Sequence, residues 1–203
     1  MTTQRSTLGR AATAAASAAL ALALAACGSS DDKSAGDGHG SGHDSGKKPA
    51  KNAAAADVSF AQGMIPHHRQ AVEMSELASS RAESAKVKSL SERISKAQEP
   101  EIEKMSGWLK SWGEKVPASG QGHSGHSMAG MMTPEDMEKL KKLSGEKFDR
   151  EFLRMMTAHH EGAVDMARTE ESDGSYKPAK AMARDIRRSQ TAEIKEMRVL
   201  LKK

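Results

Sequence analysis

An all-α fold, a four-helix bundle assembled from two copies of one helical hairpin, is what this 203-residue sequence predicts, and three observations carry the prediction. The stretch Met64-Ile65-Pro66-His67-His68-Arg69-Gln70-Ala71-Val72-Glu73-Met74 returns as Met156-Thr157-Ala158-His159-His160-Glu161-Gly162-Ala163-Val164-Asp165-Met166, offset by 159 minus 67, or 92 residues. The same offset, without a gap, pairs Asp57 with Asp149, Phe60 with Phe152, Ile94 with Ile186, Gln98 with Gln190 and Glu101 with Glu193. It also pairs Ile102 with Ile194, Met105 with Met197 and Leu109 with Leu201, so one unit is used twice. Apolar residues recur within each unit at helical spacing, and no stretch alternates with period two for long enough to be a strand.

The elements follow in order. Arg5 and Arg10 precede an Ala-rich apolar run, Ala11 to Ala26, which reads as a secretory signal over residues 1–26. Its end, Leu24-Ala25-Ala26-Cys27-Gly28, resembles a bacterial lipobox, with Cys27 the lipidated first residue of the mature chain. Residues 27–55 are mainly Gly, Ser, Asp, Lys, Ala and His, with His39 and His43 among them, and read as a flexible tether. The bundle domain is expected over 56–203: hairpin one at 57–112, a linker at 113–147 and hairpin two at 148–203.

Helix one is expected from Asp57, as N-cap, to about Ser80. At 100° per residue, Phe60, Met64, His67, His68, Ala71, Met74, Ser75 and Ala78 form its inward stripe. Pro66 lacks an amide proton and predicts a bend. Helix two, about Glu83 to Trp112, turns Val87, Leu90, Ile94, Ile102, Met105 and Leu109 inward, bends at Pro100 and stops at Gly113. The linker holds a His- and Met-rich tract with His123, His126, Met128, Met131 and Met132, compositionally suited to metal capture. A short helix opens at Thr133-Pro134-Glu135-Asp136 and ends by Gly145. Helices three, about Asp149 to Glu171, and four, about Pro178 to Leu201, repeat the first pair, giving a pseudo-twofold bundle.

Composition excludes several functions. Removing the leader leaves 29 basic against 27 acidic residues, and the chain has six aromatic residues, so a nucleic-acid partner has no support. Cys27 is the only cysteine, which excludes an internal disulfide and a thiolate metal site in the domain. A carboxylate-bridged di-iron centre needs Glu-x-x-His on two helices, whereas Glu101-x-x-Lys104 and Glu193-x-x-Glu196 lack the histidine. There is no nucleophile elbow, no Gly-rich phosphate loop and no His-Glu-x-x-His pattern, so an enzyme is not expected.

What remains is the chemistry of Met and His. Met64 lies one turn from His67 and His68, and Met74 two turns from His67 on the same side. Thioether and imidazole are neutral, soft-to-intermediate ligands suited to Cu(I) and Ag(I). The candidate ligands are therefore Met64, His67, His68 and Met74, with Met156, His159, His160 and Met166. Gln98, Glu101, Met105, Gln190, Glu193 and Met197 are candidates for the surrounding shell that orients the imidazoles. The same residues also suit plain packing, because a Met stripe is usual core filler and a buried His is commonly a satisfied hydrogen-bonding group. Trp108 and Trp112 read as packing at a bundle end.

The paired motif Met64-Ile65-Pro66-His67-His68 with Ala71-Val72-x-Met74, and then Gln98-x-x-Glu101-Ile102-x-x-Met105-x-x-Trp108-Leu109, resembles the bacterial domain of unknown function family 305 from about Asp57 to the C-terminus. That resemblance implies a ferritin-like helical bundle in a secreted or lipid-anchored protein. It also implies copper binding through Met64, His67, His68 and Met74 and their partners Met156, His159, His160 and Met166. Thr157-Ala158 departs from the family's Ile-Pro. The expectation is a protein anchored through lipidated Cys27 on the extracytoplasmic face of the cell membrane, capturing or buffering Cu(I). A metal-dependent redox enzyme and an adaptor lipoprotein with packing histidines are the alternatives.

Overall fold

In the computed structural model, residues 54–118 and 129–202 are described. The signal sequence, Cys27, the tether with His39 and His43, and the tract holding His123, His126 and Met128 lie outside them. Five helices follow in order: α1 (Ala55–Arg81), α2 (Ala85–Trp112), α3 (Pro134–Lys142), α4 (Gly145–Asp173) and α5 (Lys177–Leu200). No strand occurs among the described residues, and none of their helices is long and apolar enough to cross a membrane.

α1 packs on α2, α4 on α5, and the hairpins meet chiefly through α1 and α4, with the short α3 laid against α4. The apolar interior falls into two clusters. One joins the C-terminal half of α1 (Ala71, Met74, Ala78) to the N-terminal half of α4 (Phe148, Phe152, Met156), with Val87, Leu90 and Ile94 of α2 and Ile194 and Met197 of α5. The other joins Phe60, Met64 and Ile65 of α1 to Ala163 and Ala167 of α4, with Met105 and Leu109 of α2 and Ala183 and Ile186 of α5. α1 and α4 are therefore antiparallel. Between the clusters, at mid-height, lies a polar layer of His67, His68, His159, His160, Gln98 and Gln190, all buried.

Several element boundaries differ from the sequence reading. Asp57 is not the N-cap of α1; the helix begins at Ala55 with Ala54 as N-cap, and Asp57 sits at the third helical position. Its carboxylate instead crosses to the other hairpin, where Oδ1 accepts from the backbone N–H groups of Ser175 (3.0 Å) and Tyr176 (2.9 Å). Oδ2 accepts from the Ala54 N–H at 2.6 Å and the Ser175 hydroxyl at 3.0 Å. Asp149, 92 residues on, does the same in reverse, accepting from Glu83 N–H (3.2 Å) and Ser84 N–H (2.8 Å). Each hairpin thus satisfies orphan amides at the turn of its partner. Asp149 serves this purpose from within a helix, and α4 starts four residues earlier than expected, at Gly145.

Pro66 and Pro100 lie inside α1 and α2 without ending either helix. Gly113 terminates α2 in the left-handed conformation, φ +77°. Trp108 and Trp112 stack at 6.3 Å and both meet Tyr176 edge-on, at 5.6 and 5.3 Å, which joins the end of α2 to the start of α5.

Candidate metal centre

The histidines are placed by helix spacing. Adjacent residues on a helix point about 100° apart, so His67 faces α4 while His68 turns toward α2, and the duplicated pair does likewise. His67 and His159 consequently meet across the α1–α4 contact, with ring centroids 3.7 Å apart and planes inclined at 40°. His68 Nε2 lies 2.7 Å from Glu101 Oε2 on α2, and His160 Nε2 lies 2.7 Å from Glu193 Oε2 on α5. Both His side chains are fully buried, whereas the carboxylates keep 23% and 18% exposure, so each Glu links the inner layer to the surface.

A carboxylate accepts hydrogen bonds, so in the neutral ring it places the imidazole proton on Nε2 and the lone pair on Nδ1. Nδ1 of His68 and of His160 is buried with no hydrogen-bond partner. Both nitrogens of His67 and both of His159 are likewise buried and unpartnered. Leaving a buried polar atom unpaired costs roughly 1–3 kcal/mol, and six imidazole nitrogens concentrated in one layer are not explained by packing. Burial pushes the His67 pKa down to about 3, with His68 beside it acting in the same direction and a hydrogen-bonding pull from the Ala129 backbone acting against them. His159 is driven well below its ordinary value by burial and then by His67 and its other histidine neighbours. Low basicity keeps these rings neutral, the form in which imidazole binds a metal.

The helix register sorts the methionines. With His67 against His159 and the helices antiparallel, Met64 is level with Gly162 and Ala163, and Met156 with Gln70 and Ala71. Ala71 lies in the same apolar cluster as Met156, and Ala163 in the same cluster as Met64. The small residues thus give room to the opposing thioethers, not to an open space between the helices. Met64 and Met156 are each one turn from a His pair, on opposite sides of the layer. Met74 and Met166 are about 10 Å along their helices from His67 and His159; Met74 lies within one apolar cluster and Met166, partly buried, packs against the other, so the structure does not bring them to the layer. Met105 and Met197 are fully buried in opposite clusters. The side-chain oxygens of Gln98 and Gln190 have no partner, while Glu101 and Glu193 make the imidazole contacts.

No three His, Cys, Asp or Glu side chains among the described residues converge on one point. The orphaned lone pairs, with thioethers one turn away, fit a soft ion of low coordination number.

Sequence reasoning missed the segment that covers the layer. The chain from Ala129 to Met132 lies over the layer from outside, with Met132 held by Gln70: its N–H donates to Gln70 Oε1 (2.7 Å) and its carbonyl accepts from Gln70 Nε2 (2.9 Å). The available signal was the replacement of Gln70 by Gly162 in the second copy of the repeat.

Fold and site together define a duplicated α-helical bundle with a buried, carboxylate-oriented histidine layer. The chain belongs to the family described as domain of unknown function (DUF305), which it matches over residues 57–201. A DUF305 crystal structure from Streptomyces coelicolor is 36% identical, with a TM-score of 0.66 over 72% of this chain and 91% of that one. CopM in its Cu(I)-bound form is 35% identical, with a TM-score of 0.61 over 72% of this chain and 95% of that one. CopM structures with Cu(II) and with Ag match similarly, at 37% and 33% identity and TM-scores of 0.64 and 0.59. A DUF305 fragment from Deinococcus radiodurans is 29% identical, with a TM-score of 0.67 over 74% of this chain and 97% of that one. No curated protein matches the chain.

Proposed function

We propose that this chain captures and buffers Cu(I) on the extracytoplasmic face of the membrane, held there through lipidated Cys27. The observation that carries the metal reading is the set of unpartnered imidazole nitrogens in the mid-height layer, two of them presented as lone pairs by Glu101 and Glu193. The likeness to CopM solved with Cu(I), Cu(II) and Ag supports the choice of a copper-like ion. His68 and His160 supply Nδ1, His67 and His159 flank them across the pseudo-twofold, and Met64 and Met156 offer thioethers one turn away. Two symmetry-related half-sites suit this placement better than one cage of eight ligands, because Met64 and Met156 lie on opposite sides of the layer.

Storage accords with the burial better than turnover does. All four rings are fully enclosed, which leaves no face for a second substrate or an oxidant. The leader and the single cysteine at its end support the anchored, exported location.

The test is an anaerobic Cu(I) titration of the chain against a chromophoric chelator, beside a variant with His67, His68, His159 and His160 changed to Ala and checked for helicity by circular dichroism. Tight binding that vanishes in a still-helical variant is the expected result. Equal binding in both would move copper to the His- and Met-rich linker, and no binding in either would leave the histidines without a metal role.

A further inference from the structure

A fully enclosed layer poses a problem of access, and the structure offers one element able to solve it. The hairpins are tied to each other at both ends by Asp57 and Asp149 and along their length by two apolar clusters, so separating them would expose the core. The strap Ala129–Met132 is different: it is non-helical, Ala129 is exposed, and Gly130 to Met132 are only partly buried. We propose that this strap is the gate through which an ion reaches the histidine layer, and that Gln70 is its latch; the inference rests on the metal-binding function proposed above.

The strap sits where the gate would have to be. A Cβ on Gly130 would lie 2.5 Å from the Ala158 carbonyl oxygen and 3.1 Å from His159 Cα, so the strap backbone rests on the turn of α4 that carries His159. Gly130 also has φ +82°, a conformation that a side chain would strain. A Cβ on Gly162 would run into the Ala129 carbonyl. The strap is therefore seated by two glycines and held by the pair of hydrogen bonds between the Gln70 amide and the Met132 backbone.

The repeat supports this assignment. Gln70 and Gly162 are equivalent positions 92 residues apart. One supplies the latch and the other the clearance, so the two copies diverge where a single strap must cross a twofold-related surface. Gln62, which donates to the Lys115 carbonyl at 3.1 Å, and Arg69, which donates to the Pro117 carbonyl at 2.7 Å, hold the start of the linker and not the strap. Opening at Gln70 need not disturb them.

Stopped-flow transfer of Cu(I) to and from a chromophoric chelator tests the gate, run on the parent chain, Gln70→Ala, Gly162→Ala and the control Gln62→Ala. Amide exchange over Ala129–Met132 is followed in parallel. Loss of the latch should speed uptake and release together by about tenfold, leave affinity within about twofold, and accelerate exchange in the strap. Gly162→Ala, which displaces the strap, should act in the same direction, and Gln62→Ala should match the parent. Unchanged rates in both strap variants overturn the proposal. So does a loss of affinity without faster uptake, which would make the strap part of the site. A parent that binds no Cu(I) defeats the proposed function first and the gate with it.

Discussion

His67 and His159 meet ring to ring at 3.7 Å on the pseudo-twofold of the bundle, each fully buried and each with both nitrogens unpartnered. Two polar rings in such a place oppose stability, since both lose hydration, offset only in part by the backbone carbonyls of Ala129 and His67 beside them. The double substitution His67→Leu and His159→Leu should raise the unfolding free energy by about 1–3 kcal/mol while weakening Cu(I) binding. Urea denaturation beside a chelator competition measures both, and a destabilised double variant would show that the rings contribute packing their nitrogens do not reveal.

Glu101 and Glu193 contact His68 and His160, the rings proposed above to bind Cu(I). Changing either to Gln removes the carboxylate acceptor that fixes the imidazole proton on Nε2, and Cu(I) affinity should fall about 10- to 100-fold with helicity intact. Equal effects at Glu101 and Glu193 are expected if the half-sites are equivalent. Nitrogen NMR of the His68 and His160 rings should show the tautomer mixture broadening in the variant.

The reciprocal caps make a separate stability prediction. Asp57 accepts from Ala54, from Ser175 twice and from Tyr176, and also faces the Glu170 side chain, whereas Asp149 accepts two hydrogen bonds from the opposite turn. Asp57→Ala should therefore cost more than Asp149→Ala, with about 1–2 kcal/mol expected for the latter. Urea midpoints of the two variants decide it, and equal losses would mean that the extra donors at Asp57 add nothing.

Glu170 gives the chain a pH dependence. Burial, followed by its contact with Asp57, raises the Glu170 pKa from 4.5 to about 8. Burial would raise Asp57 too, but its donors, led by the Tyr176 amide and the Glu170 side chain, outweigh it and lower the pKa. Between 4.5 and about 8 the folded chain keeps a proton on Glu170 that the unfolded chain has lost. Unfolding then releases a proton, so this contribution is complete below 4.5 and is lost as pH rises through about 8. Glu170→Gln should flatten the decline, seen as a gain in melting temperature over the parent that grows from pH 5 to about pH 8. A gain independent of pH would assign the effect to packing.

The repeat register, the four long helices, the paired histidines and the carboxylates that reach them were all legible in the sequence, because helical period and a fixed 92-residue offset are local or one-dimensional properties. Glu101 lies 33 residues from His68, as Glu193 does from His160, and the hairpin alone brings each pair together. Tertiary structure decided the rest. Spacing along one helix placed Met64 and Met74 on the same stripe, but the antiparallel register of α1 on α4 puts Met64 beside the histidine layer and leaves Met74 in an apolar cluster two turns away. Asp57 reads locally as a cap for its own helix and does accept from the Ala54 N–H there, but most of its donors come from residues 175 and 176, set by how the hairpins dock. The strap over His67 and His159 follows a loop path that no periodic pattern encodes. Local pattern specifies which faces are apolar, whereas the pairing of faces and the route of the connections depend on long-range packing.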